Sequence, residues 1–192
     1  MATKERSRRA SSVAWSERGL APMQLFQRRR WVDPGRLAEG LAAFVQQLVW
    51  INEHTGLEMS AWRRTDGHHQ GAILATTTYY DHGWFLAEVV RLQTLADYGP
   101  INEATAALTV GEDAFERWDA PPDTPADWLP GWSFLLQITA PEETPAWPSQ
   151  GWTNAEGADG RITWLLDGEW PADNLPADGV SGARQERWTR IH

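Results

Sequence analysis

Between residues 34 and 80 the spacing of apolar positions changes period twice. Leu37, Leu41, Phe44, Val45, Leu48 and Ile51 recur three and four apart, which places them on one stripe of a helix. Asp33 is a good cap and Pro34 suits a first helical turn, while Gly56 is expected to stop the helix by taking the left-handed conformation. Residues 57–65 and 72–80 read as two strands, and the polar link 66–71 between them suits a hairpin. The second strand carries no charge, so both of its faces are expected to be covered.

Upstream, residues 23–32 form a candidate strand with three successive arginines, Arg28, Arg29 and Arg30. Either they mark a strand end reaching solvent, or one of them points inward to hold an acidic group. Downstream, Asp81 can cap a second helix striped by Phe85, Val89, Leu92 and Ala96, ending before Gly99-Pro100. Residues 101–108 suit a further short helix. Residues 111–130 are acidic and rich in proline and read as a loop. Residues 132–140 and 161–166 are strand candidates, separated by the loop-like 141–160, and the chain after Gly168 is a Pro-, Asp- and Gly-rich tail. No internal repeat is visible.

Composition narrows the function more than the fold. A chain of 192 residues is one domain of ordinary size, or one domain plus extensions. There is no cysteine, which removes disulfides, thiolate metal sites and cysteine nucleophiles. Thirteen tryptophans suggest pockets, interfaces or half-wet surfaces as well as core. The net charge of −9 is unevenly spread. Residues 1–30 carry Lys4 and seven arginines against Glu5 and Glu17, so the body is strongly acidic. An acidic body argues against nucleic acid as a partner. Residues 1–22 read as a basic, disordered arm. No apolar run is long enough to span a membrane and no apolar segment follows the basic start, so no membrane partner is expected and the cytoplasm is the default location.

The order strand, helix, strand, strand, helix, late strand is β-α-β-β-α-β, a ferredoxin-like topology of the α+β class. The first helix closes with Asn52-Glu53-His54-Thr55-Gly56, the hairpin carries Trp62-Arg63-Arg64, and the second helix opens near Trp84-Phe85-Leu86. On this pattern residues 23–109 resemble the dimeric α+β barrel superfamily, which includes antibiotic-biosynthesis monooxygenases and stress-responsive barrel proteins. The resemblance implies helices on one face of a sheet, with the other face buried against a second copy in a homodimer. It also implies chemistry of the kind that family shows: cofactor-free oxygenases acting on aromatic polyketides, isomerases, dehydratases and haem-using enzymes. The last strand of the pattern departs, since its best candidate, 132–140, lies beyond the acidic loop. The expected organisation is therefore a barrel domain at 23–140 and a Trp- and Pro-rich C-terminal extension at 141–192.

No phosphate-binding glycine loop or nucleophilic serine elbow occurs, so no nucleotide or other cofactor is expected. Tyr79, Tyr80, Asp81 and His82 form the densest polar-aromatic cluster, at a strand end leading into a helix. They are the candidate proton-transfer groups, with His54 one turn beyond Trp50 as a further candidate base. Trp50, Trp62 and Trp84 are candidates for an aromatic-walled pocket holding a flat small molecule, with Arg29 as a candidate binding residue. His68 and His69 sit in the hairpin link, and a metal site there is weakly supported because adjacent strand residues point apart. Two functions follow. One is an enzyme of aromatic, polyketide-like metabolism, a cofactor-free monooxygenase or a cyclase or isomerase. The other is a non-catalytic binding or assembly protein that uses the acidic region 111–178 with Trp128, Trp132, Trp147, Trp152 and Trp170.

Overall fold

The computed structural model describes residues 23–66, 71–120, 133–141, 151–154, 161–166 and 184–192. Its elements are β1 (Gln24–Trp31), a short 3-10 turn (Pro34–Arg36), α1 (Leu37–His54), β2 (Ser60–Arg64), β3 (Ala72–Tyr79), α2 (His82–Thr94), α3 (Tyr98–Ala106), β4 (Ala114–Asp119), β5 (Phe134–Pro141), β6 (Gly151–Asn154), β7 (Arg161–Leu166) and β8 (Arg184–Arg190). The eight strands close into an antiparallel barrel in the order β1-β3-β2-β8-β5-β7-β6-β4.

That order divides into two matching halves. The first four strands lie as β4-β1-β3-β2, the ferredoxin-like arrangement; the last four lie as β8-β5-β7-β6, which is the same arrangement. Each joint pairs the second strand of one half with the fourth of the other, β2 with β8 and β6 with β4. The registers agree residue by residue. Leu25 faces Trp118 and Gln27 faces Glu116 across β1 and β4, while Leu135 faces Trp188 and Gln137 faces Glu186 across β5 and β8. Glu116-Arg117-Trp118 and Glu186-Arg187-Trp188 thus occupy the same places in the two halves. The first half spends residues 32–59 and 80–113 on connections that contain its helices, whereas the second half connects its strands with residues 142–150 and 167–183.

The α+β, ferredoxin-like fold expected from the sequence is present, with several corrections to its parts. The strand that completes the first half is β4, inside the stretch 111–130 that was expected to be a loop. The strand candidate at 132–140 opens the second half instead, as β5. The expected extension 141–192 supplies β6, β7 and β8 to the barrel. The inner face of β3, expected to lie against a second copy, packs on strands of its own chain. Barrel closure therefore requires no partner. Gly56 does not take a left-handed conformation: among the described residues only Gly111 has positive φ. The helix ends instead with Thr55 extended, its N–H held by Ile51 O at 2.9 Å.

Two cores share the sheet, because alternate residues of each strand face opposite sides. Inside the barrel lie Leu25, Leu74, Leu135 and the fully buried Trp62, Trp118 and Trp188. On the outer face Phe44, Leu48 and Ile51 of α1 and Phe85 and Leu92 of α2 cover Ile73, Ala75 and Tyr79 of β3. The three successive arginines divide between these faces. Arg30 enters the helix layer and donates to Gln47 Oε1 at 3.2 Å, Asn102 Oδ1 at 3.1 Å and Asp113 Oδ1 at 2.9 Å, joining strand, α1 and the α3 region. Arg28 pairs with the same Asp113. Arg29 points into the barrel.

Candidate functional site

The clearest constellation lies where β3 hands over to α2. Asp81 caps the helix, its Oδ1 accepting from Trp84 N at 3.1 Å. That cap leaves His82 as the first helical residue, one turn from the strand's last outward side chain, Tyr79. Tyr79 Oη stands 3.3 Å from His82 Nδ1. Arg117, outward-facing on β4, brings Nη1 to 3.1 Å from His82 Nε2. The same Nη1 is 3.5 Å from Nδ1, so the guanidinium lies against both ring nitrogens, and Tyr79 Oη is within hydrogen-bond reach of Nδ1. The walls are aromatic. Tyr79 stacks on Phe85 with centroids 4.3 Å apart and planes at 7°. Phe26 lies 5.2 Å from Phe85 and 6.1 Å from Phe115, which is 57% exposed. A buried phenol, a half-buried imidazole and a guanidinium thus meet beside an aromatic surface that reaches solvent.

Other candidates are placed elsewhere. Tyr80 lies on the opposite side of the sheet, half-buried against the barrel core. Asp81 is exposed and occupied as the cap. His54 is exposed, with Nδ1 2.8 Å from Trp50 O and its ring stacked on Trp50 at 4.2 Å. The three tryptophans expected to wall one pocket are not brought together. Trp50 lies in the helix layer against Tyr98, Trp62 is sealed inside the barrel with Nε1 donating to Thr76 Oγ1 at 2.8 Å, and Trp84 is 42% exposed. His68 and His69 lie outside the described residues, as do Trp128, Trp132, Trp147 and Trp170 of the proposed recognition surface. Trp118, within that region, is buried in the barrel. Among the described residues no group of three or more His, Asp or Glu is placed to hold a metal ion.

Arg117, Phe26 and Phe115 were not on the sequence-based candidate set. The signal for the β4 pair was the alternation Phe115, Arg117, Asp119 against Glu116, Trp118, obscured by the prolines and acids around it.

The barrel interior holds a second polar group. Arg29 Nη2 donates to Glu186 Oε2 at 2.7 Å and Arg64 Nη1 to Glu186 Oε1 at 2.9 Å, with Arg29 lying 5.5 Å over the Trp188 ring. An acidic residue does meet Arg29, and it belongs to the chain itself.

No family model matches the chain, and no curated protein sequence matches it. Solved structures do. A candidate monooxygenase from Fusobacterium nucleatum is 8% identical over 90% of this chain and 94% of its own, with a TM-score of 0.57. A second, from Lactobacillus acidophilus, is 9% identical over 88% of this chain and 94% of its own, at 0.53. A variant of SnoaB, a cofactor-independent oxygenase from Streptomyces nogalater, is 21% identical over 50% of this chain and 91% of its own, at 0.39. At such identities the likeness is one of fold. The chain shares the α+β barrel fold of the first two structures, whose matches extend through both of its halves.

Proposed function

We propose that the chain is an enzyme acting on a small phenolic or enolic aromatic molecule, as a cofactor-free monooxygenase or as a cyclase or isomerase, with Tyr79, His82 and Arg117 as its working groups. The observation that carries this reading is the contact of His82 with both Tyr79 and Arg117 beside the Phe26, Phe85 and Phe115 rings. Imidazole is the side chain most often used as a general base near neutral pH. A substrate hydroxyl or activated C–H replaces Arg117 at Nε2 and loses its proton there. Arg117, displaced by one hydrogen bond, then faces the developing oxyanion as its counter-charge. Tyr79 accepts from Nδ1 and holds the ring in the productive tautomer. In an oxygenase the resulting carbanion adds dioxygen to give a hydroperoxide, which loses water to leave a carbonyl. In an isomerase or cyclase the same anion is reprotonated or closes a ring.

The names of the structural neighbours agree with the oxygenase form but concern those proteins. The test is oxygen consumption by the purified protein with an anthrone as substrate. Wild type is expected to consume oxygen, and His82→Ala and Arg117→Gln to lower kcat/KM by about a hundredfold each. Equal turnover in wild type and both variants would remove the site from the reaction.

A further inference from the structure

The two halves of the barrel are not equally complete, and the difference defines a site on the inner side of the sheet, away from His82. In one half Glu186 is satisfied by two guanidinium groups, Arg29 from β1 and Arg64 from β2, with Trp188 beneath Arg29. The matched carboxylate is Glu116, and the matched ring is Trp118. By register, the residue in the place of Arg29 is Thr139, which is shorter by the whole guanidinium. Facing Trp118, as Arg64 faces Trp188, is Asn154. Neither matched position supplies a cation. The consequence is visible at Glu116, whose Oε2 is out of contact with water and has no hydrogen-bond partner. Around it, Gln27 Oε1 also lacks a donor and Trp118 Nε1 an acceptor, in side chains each only 1% exposed.

We propose that the Glu116 side of the barrel is a binding site for a small organic cation with a planar N–H head, a guanidinium or amidinium. The cation takes the place at Glu116 and Trp118 that Arg29 takes at Glu186 and Trp188. The chemistry follows from the matched half. Glu116 Oε2 and Gln27 Oε1 are two unmet acceptors, and a guanidinium offers donors in a plane while its face rests on an indole ring. Glu116 is half-buried, but a carboxylate oxygen closed to water and without a donor is costly, so a ligand that donates to it recovers that cost on binding. The same register sets Arg184 opposite Thr139, and Glu116 Oε2 nevertheless has no hydrogen-bond partner.

The test titrates methylguanidinium into the purified protein by calorimetry, with NMR of the indole N–H signals as a site-resolved readout. Tetramethylammonium, which has no N–H, is the control cation. Wild type is expected to bind methylguanidinium saturably and one-to-one, shifting an indole signal, and to bind tetramethylammonium at least about tenfold more weakly. Glu116→Gln, nearly isosteric, is expected to weaken methylguanidinium by about thirtyfold or more. Thr139→Arg restores the matched arginine and is expected to abolish binding while raising the urea midpoint. Absence of saturable binding in wild type overturns the proposal. So does undiminished binding in Glu116→Gln, which also decides the matter should Thr139→Arg fail to fold.

Discussion

Gln27 reaches across the barrel to Gln137, its side-chain Nε2 donating to the opposite Oε1 at 3.3 Å. The strands that carry them, β1 and β5, lie diametrically opposite in the eight-strand order, and the two residues are counterparts in the two halves. The contact is a position of the repeat meeting its own copy. Both side chains are at most 1% exposed, and each keeps one unmet group, Gln27 Oε1 and Gln137 Nε2.

That arrangement makes a double-mutant cycle informative. Gln27→Leu or Gln137→Leu alone leaves a buried amide without its partner, and each is expected to lower stability by about 1–3 kcal/mol. The double variant removes both amides and is expected to recover most of the loss. Urea unfolding of the four proteins reads the coupling; additive losses would show that the two amides do not act as a pair.

The outer-face helices and the hairpin were legible because their apolar periods are strong over many residues, as in Leu37 to Ile51. The second half was not. Its matched triplet Glu186-Arg187-Trp188 repeats Glu116-Arg117-Trp118, but only three residues coincide, and the intervening connections differ too much in length for a fixed period to appear. β4 and β8 carry an inward glutamate each, Glu186 buried against arginines and Glu116 half-buried, so they lack the alternating apolar face expected of strands. The site was half legible: Tyr79 and His82 lie three residues apart in sequence, whereas Arg117 reaches them only through the pairing of β4 with β1.

The buried pair of Arg29 with Glu186 joins the first and last strands of the chain at 2.7 Å, with side-chain exposures of 8% and 3%. Arg29→Met is expected to destabilise the protein by about 3 kcal/mol, because Glu186 keeps only Arg64 of the two guanidiniums the structure sets against it. Thermal unfolding at low and high salt measures it, and a similar loss in both is expected because burial limits screening.

Gly40 in the middle of α1 is required by close approach. A Cβ there would stand 2.3 Å from Val32 Cγ1, in a side chain only 1% exposed. Gly40→Ala would add about 1 kcal/mol of helix preference on an exposed helix, yet here it is expected to be destabilising by overpacking. Val32→Ala in the same chain is expected to relieve part of that loss, seen as a partial recovery of Tm.

Removing residues 141–192, the segment that the sequence suggested was an extension, takes away β6, β7 and β8. The remaining β2, β4 and β5 would present unpaired edges. The shortened chain is expected to aggregate or to unfold without cooperativity. A cooperative transition at the full-length midpoint would show that the second half is not part of the folding unit.

Tyr79 and Tyr80 are neighbours in sequence on opposite sides of the sheet, one against His82 and the other against the barrel core. The most direct measurement of the proposed function is therefore kcat/KM for oxygen-dependent anthrone turnover in Tyr79→Phe and Tyr80→Phe. Loss of the phenol beside His82 Nδ1 is expected to lower the value by about tenfold or more in Tyr79→Phe, with Tyr80→Phe within about twofold of wild type because it packs on the other side of the sheet. A fall in Tyr80→Phe with Tyr79→Phe unchanged would contradict the assignment and move the reaction to the inside of the barrel.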